Sequence, residues 1–121
     1  MYEYRATVVG VVDGDTVDLD VDLGFHTQFN SRFRLFGINT PESYGKEASV
    51  AGHAAKDRLK ALLPVGLVVL VRTEKDKTEK YGRFLGTIQL RDGPLAGKSV
   101  NDILVKEGHA LAYFGKGVKP V

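Results

Sequence analysis

Apolar and polar residues alternate along the first third of the chain and then give way to a longer repeat. Arg5-Ala6-Thr7-Val8-Val9-Gly10-Val11-Val12 is rich in β-branched residues and predicts a strand. Asp13-Gly14-Asp15 is a turn signal, because Asp-Gly accepts the positive φ angles of a tight hairpin. Val17, Leu19, Val21 and Leu23 then alternate with Asp18, Asp20 and Asp22, a period of two with one face buried and one in water. Gly24 closes that strand, and a third is predicted from Thr27 to Ile38 with Phe29, Phe33 and Leu35 among its apolar positions. From Lys46 to Leu63 the period lengthens: Ala48, Ala51, Ala55, Leu59 and Leu62 recur at three- and four-residue steps before Pro64, which predicts a long helix.

Gly66 to Thr73 is a nearly continuous apolar run and predicts a buried strand; Glu74 to Lys80 reads as a charged loop, and Arg83 to Leu90 as a fifth strand. Ser99-Val100-Asn101-Asp102 is a capping-box pattern opening a short helix that buries Val100, Ile103 and Leu104, with Gly108 placed for its C-terminal cap. The tail from His109 carries Tyr113 and Phe114 and then turns basic and Gly-rich. Five strands with a helix between the third and fourth give an α+β class in the element order of an oligonucleotide/oligosaccharide-binding (OB-fold) barrel. With no repeats or linkers, the 121 residues are expected to form one domain, 1–121.

Composition narrows the chemistry. The absence of cysteine removes disulfide scaffolds, thiol nucleophiles and cysteine zinc sites. No apolar run approaches a membrane span, and Met1-Tyr2-Glu3-Tyr4-Arg5 does not open a secretory signal, so an intracellular or trimmed mature chain with no membrane partner is expected. The net charge of +2 divides unevenly. Residues 1–44 hold seven acids against three arginines, a net of −4, and the remainder carries +6. An acidic segment suited to a cation thus precedes a basic one suited to a polyanion; two solvated faces that happen to differ would give the same asymmetry.

Candidate chemistry concentrates between Arg34 and Glu42. The arginine offers a fixed fork of donors for anionic oxygens, and the glutamate past Thr40-Pro41 can take a proton from water. Asp18, Asp20 and Asp22 do not form a calcium loop, because Leu23 and Phe29 stand where that loop needs Gly and Glu. His26, His53 and His109 have no metal-ligand spacing.

Three motifs, Val12-Asp13-Gly14-Asp15-Thr16, Phe33-Arg34-Leu35 with Asn39-Thr40-Pro41-Glu42, and Lys80-Tyr81-Gly82-Arg83, together resemble the staphylococcal nuclease family. Tyr44-Gly45-Lys46-Glu47-Ala48 and the segment from Ser99 to Gly108 extend the resemblance to roughly residues 5 to 114. It implies a calcium-dependent nuclease on an OB-fold barrel, cutting DNA and RNA with little sequence preference and leaving 3′-phosphates. By the same resemblance Asp15 is a metal-binding aspartate and Thr40 lends a backbone carbonyl to the ion. Glu42 is the general base, Arg34 and Arg83 grip the scissile phosphate, Lys80 and Tyr81 meet a terminal phosphate, and Tyr113 lies near a nucleotide-contacting tyrosine. A monomer is expected.

Two departures stand out. Asn39 occupies a metal-ligand position where the family usually has aspartate, so it brings an oxygen without a charge, and metal binding is expected to be weakened but retained. Asp13 can contribute through water. Only Ser43 separates Glu42 from Tyr44-Gly45, so the family's long loop is nearly absent. The alternative reading is a weak or inactive member that keeps the barrel as a nucleic-acid or protein-binding module.

Overall fold

The computed structural model describes residues 2–43, 49–78 and 82–112, with the backbone alone for 74–78. Five strands close into a barrel: β1 (Tyr2–Asp13), β2 (Thr16–Gly24), β3 (Thr27–Leu35), β5 (Val68–Thr78) and β6 (Phe84–Gln89), in the order β1-β2-β3-β6-β5. All pairings are antiparallel except β3 with β6. This is the predicted α+β barrel. Helix α1 (Val50–Leu62) joins its two halves, and α2 (Val100–Lys106) follows β6.

The alternation chooses the core. Val17, Leu19 and Val21 turn inward with Ala6, Val8, Phe33, Leu35, Val69, Val71 and Ile88, and Leu59, Leu62 and Leu63 join them with Val100 and Leu104 from α2. Most of these side chains are more than 95% buried, and each large aliphatic one contributes about 1.5–3 kcal/mol by leaving water.

Several boundaries differ from the sequence pattern, each for a local reason. The third strand stops at Leu35, because Gly37 takes a left-handed φ of 78°; Ile38–Asn39 then form β4, which pairs instead with β7 (Leu111–Ala112). Seven strands thus occur among the described residues, five of them in the barrel. Helix α1 begins at Val50 rather than Lys46, because Ser49 has extended backbone and its hydroxyl caps the Gly52 N–H; residues 44–48 lie outside the described region. Ala51 faces solvent, and Gly52 takes its place on the buried stripe with Ala55, Leu59 and Leu62. The backbone of 74–78 continues β5 where a loop was expected. The expected short helix is present: Ser99 caps Asp102 N–H at 3.0 Å and Gly108 follows in the left-handed region.

Two bulges in β1, at Val9 and Val12, interrupt its register with β2. Each inserts one extra residue and bends the strand, which helps close the barrel. They also reset which residues point inward, and Asp13 ends buried.

The two helices are tied by a two-pronged ion pair, Arg58 Nε to Glu107 Oε1 at 2.7 Å and Nη2 to Oε2 at 2.9 Å. Hydrogen bonding to Arg58 is the main cause that holds the Glu107 carboxyl below its ordinary range, and the same bond raises Arg58. A carboxyl whose folded pKa is depressed adds stability above its unfolded pKa and loses it as pH falls through the folded value. The pair is about a third exposed, so Glu107→Gln should cost less than about 1 kcal/mol at neutral pH. Urea unfolding checks this: the penalty should vanish in acid, and one that persisted there would place the effect in packing instead.

Candidate functional site

The hairpin between β1 and β2 and the segment following β3 meet at one end of the barrel. Asp15 is buried there to 7% exposure. Its Oδ2 accepts from the Thr40 backbone N–H at 3.2 Å and lies 3.3 Å from Arg34 Nη1, while its Oδ1 accepts from the Thr16 hydroxyl at 3.2 Å. Arg83, arriving from the start of β6, donates from Nη1 to the same hydroxyl at 3.4 Å. A continuous chain of contacts thus runs Arg34–Asp15–Thr16–Arg83, its last link joining residues 67 positions apart.

Gly14 earns its place by contact rather than by φ. The expected hairpin is present, with Asp13 paired to Thr16, but Gly14 is absent from the left-handed glycines, which corrects the expected positive φ. A Cβ there would stand 2.7 Å from Thr40 Oγ1 and 3.0 Å from Ala55 Cβ. Only glycine lets the Thr40 segment close over the hairpin.

Arg34 is fixed by its own surroundings. Nη1 donates to the carbonyls of Leu35 at 3.2 Å and Ile38 at 2.9 Å, and Nη2 donates to Asn39 Oδ1 at 2.9 Å. A guanidinium has five N–H donors. Nε and one Nη2 N–H therefore remain as an edge with no bond to the described residues, the geometry that meets two oxygens of a phosphate. Asn39 accordingly braces the arginine.

Glu42 is exposed and follows Thr40 by two residues, so its Cα lies within about 7 Å of Thr40 Cα. Its carbonyl accepts from the Ser49 N–H at 3.1 Å. Beside it, the buried Ser43 hydroxyl donates to buried Asp13 Oδ1, which also accepts from Gly14 N–H at 2.8 Å. Lys80, Tyr81 and Tyr113 lie outside the described residues.

The ligand atoms that Asp15, Asn39 and Thr40 can offer are all oxygens, which suits a hard divalent cation of the calcium kind. One feature fits such an ion: the Thr40 hydroxyl is buried with no partner among the described residues. The charge supply is small: no three His, Cys, Asp or Glu side chains cluster among the described residues. A groove of about 520 Å³ elsewhere, lined by Glu3, Arg72, Lys98, Asp102 and Lys106 among others, contains none of these residues. Its charges of both signs converge on no reacting position, and the chemistry points to the Asp15 cluster instead.

Thr16, Ser43 and Gly52 carried no assignment in the sequence pattern. Thr16 adjoins the Asp-Gly-Asp turn, and that adjacency was its one available signal; the other two matter through contacts no local pattern encodes.

A family model described as staphylococcal nuclease homologue matches residues 32–120. The chain is 37% identical over 120 residues to the micrococcal nuclease of Shigella flexneri, covering 94% of this chain and 62% of that protein. It is 35% identical over 126 residues to the thermonuclease of Staphylococcus hyicus, covering 93% and 61%. It is 33% identical over 120 residues to endonuclease YhcR of Bacillus subtilis, covering 93% of this chain and 9% of that one. The chain spans less than two thirds of the length of each of these relatives.

Proposed function

The chain belongs to the staphylococcal nuclease family, and from that premise we propose that it is a metal-dependent nuclease hydrolysing DNA, and RNA as well, with little sequence preference. The observation that carries this reading is the contact chain Arg34–Asp15–Thr16–Arg83 with the Thr40 N–H on the same carboxylate.

A phosphodiester repels an incoming nucleophile until its charge is neutralised. A calcium-like ion held by Asp15, the Thr40 carbonyl and the Asn39 amide oxygen would supply that neutralisation and orient the water. The free edge of Arg34 takes two phosphate oxygens, and Arg83 approaches by way of the Thr16 hydroxyl. Both cations stabilise the extra negative charge of the five-coordinate transition state. Glu42 accepts the proton as water attacks phosphorus. The bond from phosphorus to the 5′ oxygen breaks, that oxygen leaves with the electron pair and is protonated, and the other product keeps a 3′-phosphate. Lys80 and Tyr81 hold a terminal phosphate, and Tyr113 contacts the nucleotide.

Asn39 favours a second reading, a weak or inactive module that binds nucleic acid without cutting it. Its amide supplies no charge, and its oxygen is engaged by Arg34. Digestion of single-stranded DNA with calcium, with other divalent ions and with chelator separates the two. Cleavage should require the ion, Arg83→Ala should lower kcat about 100-fold, and Asn39→Asp should reduce the ion concentration needed by about tenfold. Binding without cleavage under every ion would establish the module; an unchanged ion requirement in Asn39→Asp would remove residue 39 from the metal site.

A further inference from the structure

Gly52 stands in the first turn of α1, where glycine is a poor helix former and no left-handed φ demands it. Its neighbours supply the reason. A Cβ built there would fall 1.7 Å from the Glu42 carbonyl oxygen, 2.4 Å from its carbonyl carbon and 3.0 Å from the Pro41 oxygen. All three are backbone atoms, so no side-chain rotation relieves the clash. The main chain of Glu42 rests directly on the bare Cα of Gly52.

Two further contacts fix the same peptide. The Ser49 N–H, at the cap of α1, donates to the Glu42 oxygen at 3.1 Å. On the other flank, the Ser43 hydroxyl is held by Asp13 at the end of β1, both buried. Glu42 is thus seated between the helix and the barrel while its side chain stays exposed. A carboxylate that must meet a water at one position gains from a fixed backbone.

We infer that Gly52 is a positioning residue for Glu42: its missing side chain lets α1 act as the seat that aims the carboxylate. This rests on the reading of Glu42 as general base. Any side chain at residue 52 lifts the Glu42 peptide, and a displacement near 1 Å costs on the order of 10 to 100-fold in rate. The loss falls on kcat, because the phosphate-gripping Arg34 and Arg83 belong to other elements.

Steady-state cleavage of single-stranded DNA tests it with Gly52→Ala, Glu42→Gln, the double variant, and Ala54→Gly as a helix-weakening control on an exposed position of α1. Gly52→Ala should lower kcat on the order of 10 to 100-fold with KM within about threefold. In the Glu42→Gln background the same change should do almost nothing, since both act through one group. Ala54→Gly should lower the melting temperature and leave kcat alone. A slow Glu42→Gln with an unimpaired Gly52→Ala overturns this inference alone; an unimpaired Glu42→Gln overturns the base assignment and the inference with it. An equal Gly52→Ala loss in both backgrounds also overturns it, by showing a route that bypasses Glu42. If Gly52→Ala does not fold, Ser43→Ala, which loosens the other flank, must give the same kcat loss confined to the Glu42 background, at about tenfold; without that split the inference fails.

Discussion

Arg34→Lys is expected to lower kcat/KM on single-stranded DNA by about 1,000-fold although it keeps the charge. Lysine carries a single point of charge on a flexible stem, whereas the Arg34 fork reaches the Leu35 and Ile38 carbonyls, Asn39 Oδ1 and Asp15 at once. Its remaining edge is aimed because the other donors are anchored. An ammonium can replace at most part of the anchoring, and then has no paired donors left for the phosphate. The same loss should appear in stability, by about 2 kcal/mol, because partly buried acceptors lose their donors. Rate measurement and urea unfolding on one preparation separate the two. A lysine variant that stays within tenfold of wild type would show that the phosphate is not held by a paired fork.

Asn101→Ala is expected to be strongly destabilising. Asn101 is 3% exposed, and its Oδ1 accepts from Ile88 N–H at 3.2 Å while its Nδ2 donates to the carbonyls of Phe36 at 2.9 Å and Gly86 at 3.1 Å. One amide therefore joins α2, β6 and the turn after β3. Removing it strands the buried Ile88 N–H and takes a donor from the half-buried Phe36 carbonyl. A stranded buried group costs about 1–3 kcal/mol and a lost hydrogen bond about 0.5–1.5, so the sum is about 1.5–4.5 kcal/mol. That is a large fraction of the roughly 5–15 kcal/mol holding an ordinary domain. Denaturant unfolding should show the midpoint fall with little change in slope. A loss below about 1 kcal/mol would mean that water or a backbone shift satisfies those groups. Because Phe36 lies between Arg34 and Ile38, the folded fraction should also cut DNA more slowly.

The comparison between Asn101 and Asn39 shows where local pattern stops informing. Asn101 sits inside a capping-box sequence, and its neighbourhood announces a helix start, which the structure contains. Nothing nearby announces that its side chain feeds a strand edge and a turn 65 residues earlier. Asn39 raised the question of metal charge through the resemblance to the family, yet its bond to Arg34 became visible only when Gly37 turned the chain back on itself.

Short-range chemistry determined the barrel, because burial on one face of a strand requires the period of two that runs through Val17, Leu19 and Val21, and burial of one helix stripe requires the spacing of Ala55, Leu59 and Leu62. It also offered Arg34 and Glu42 as residues able to work on a phosphate, since charge and donor geometry belong to the residue type, while Asp15 and Arg83 were marked by the resemblance to the nuclease family. What only the tertiary structure decided is which of them meet and how they are aimed. Two one-residue bulges turn Asp13 inward, a bare Cα at Gly14 admits Thr40, and another at Gly52 seats Glu42. Each is a matter of a few tenths of a nanometre between segments distant in sequence. Close approach depends on both partners at once, so neither stretch of chain carries it alone.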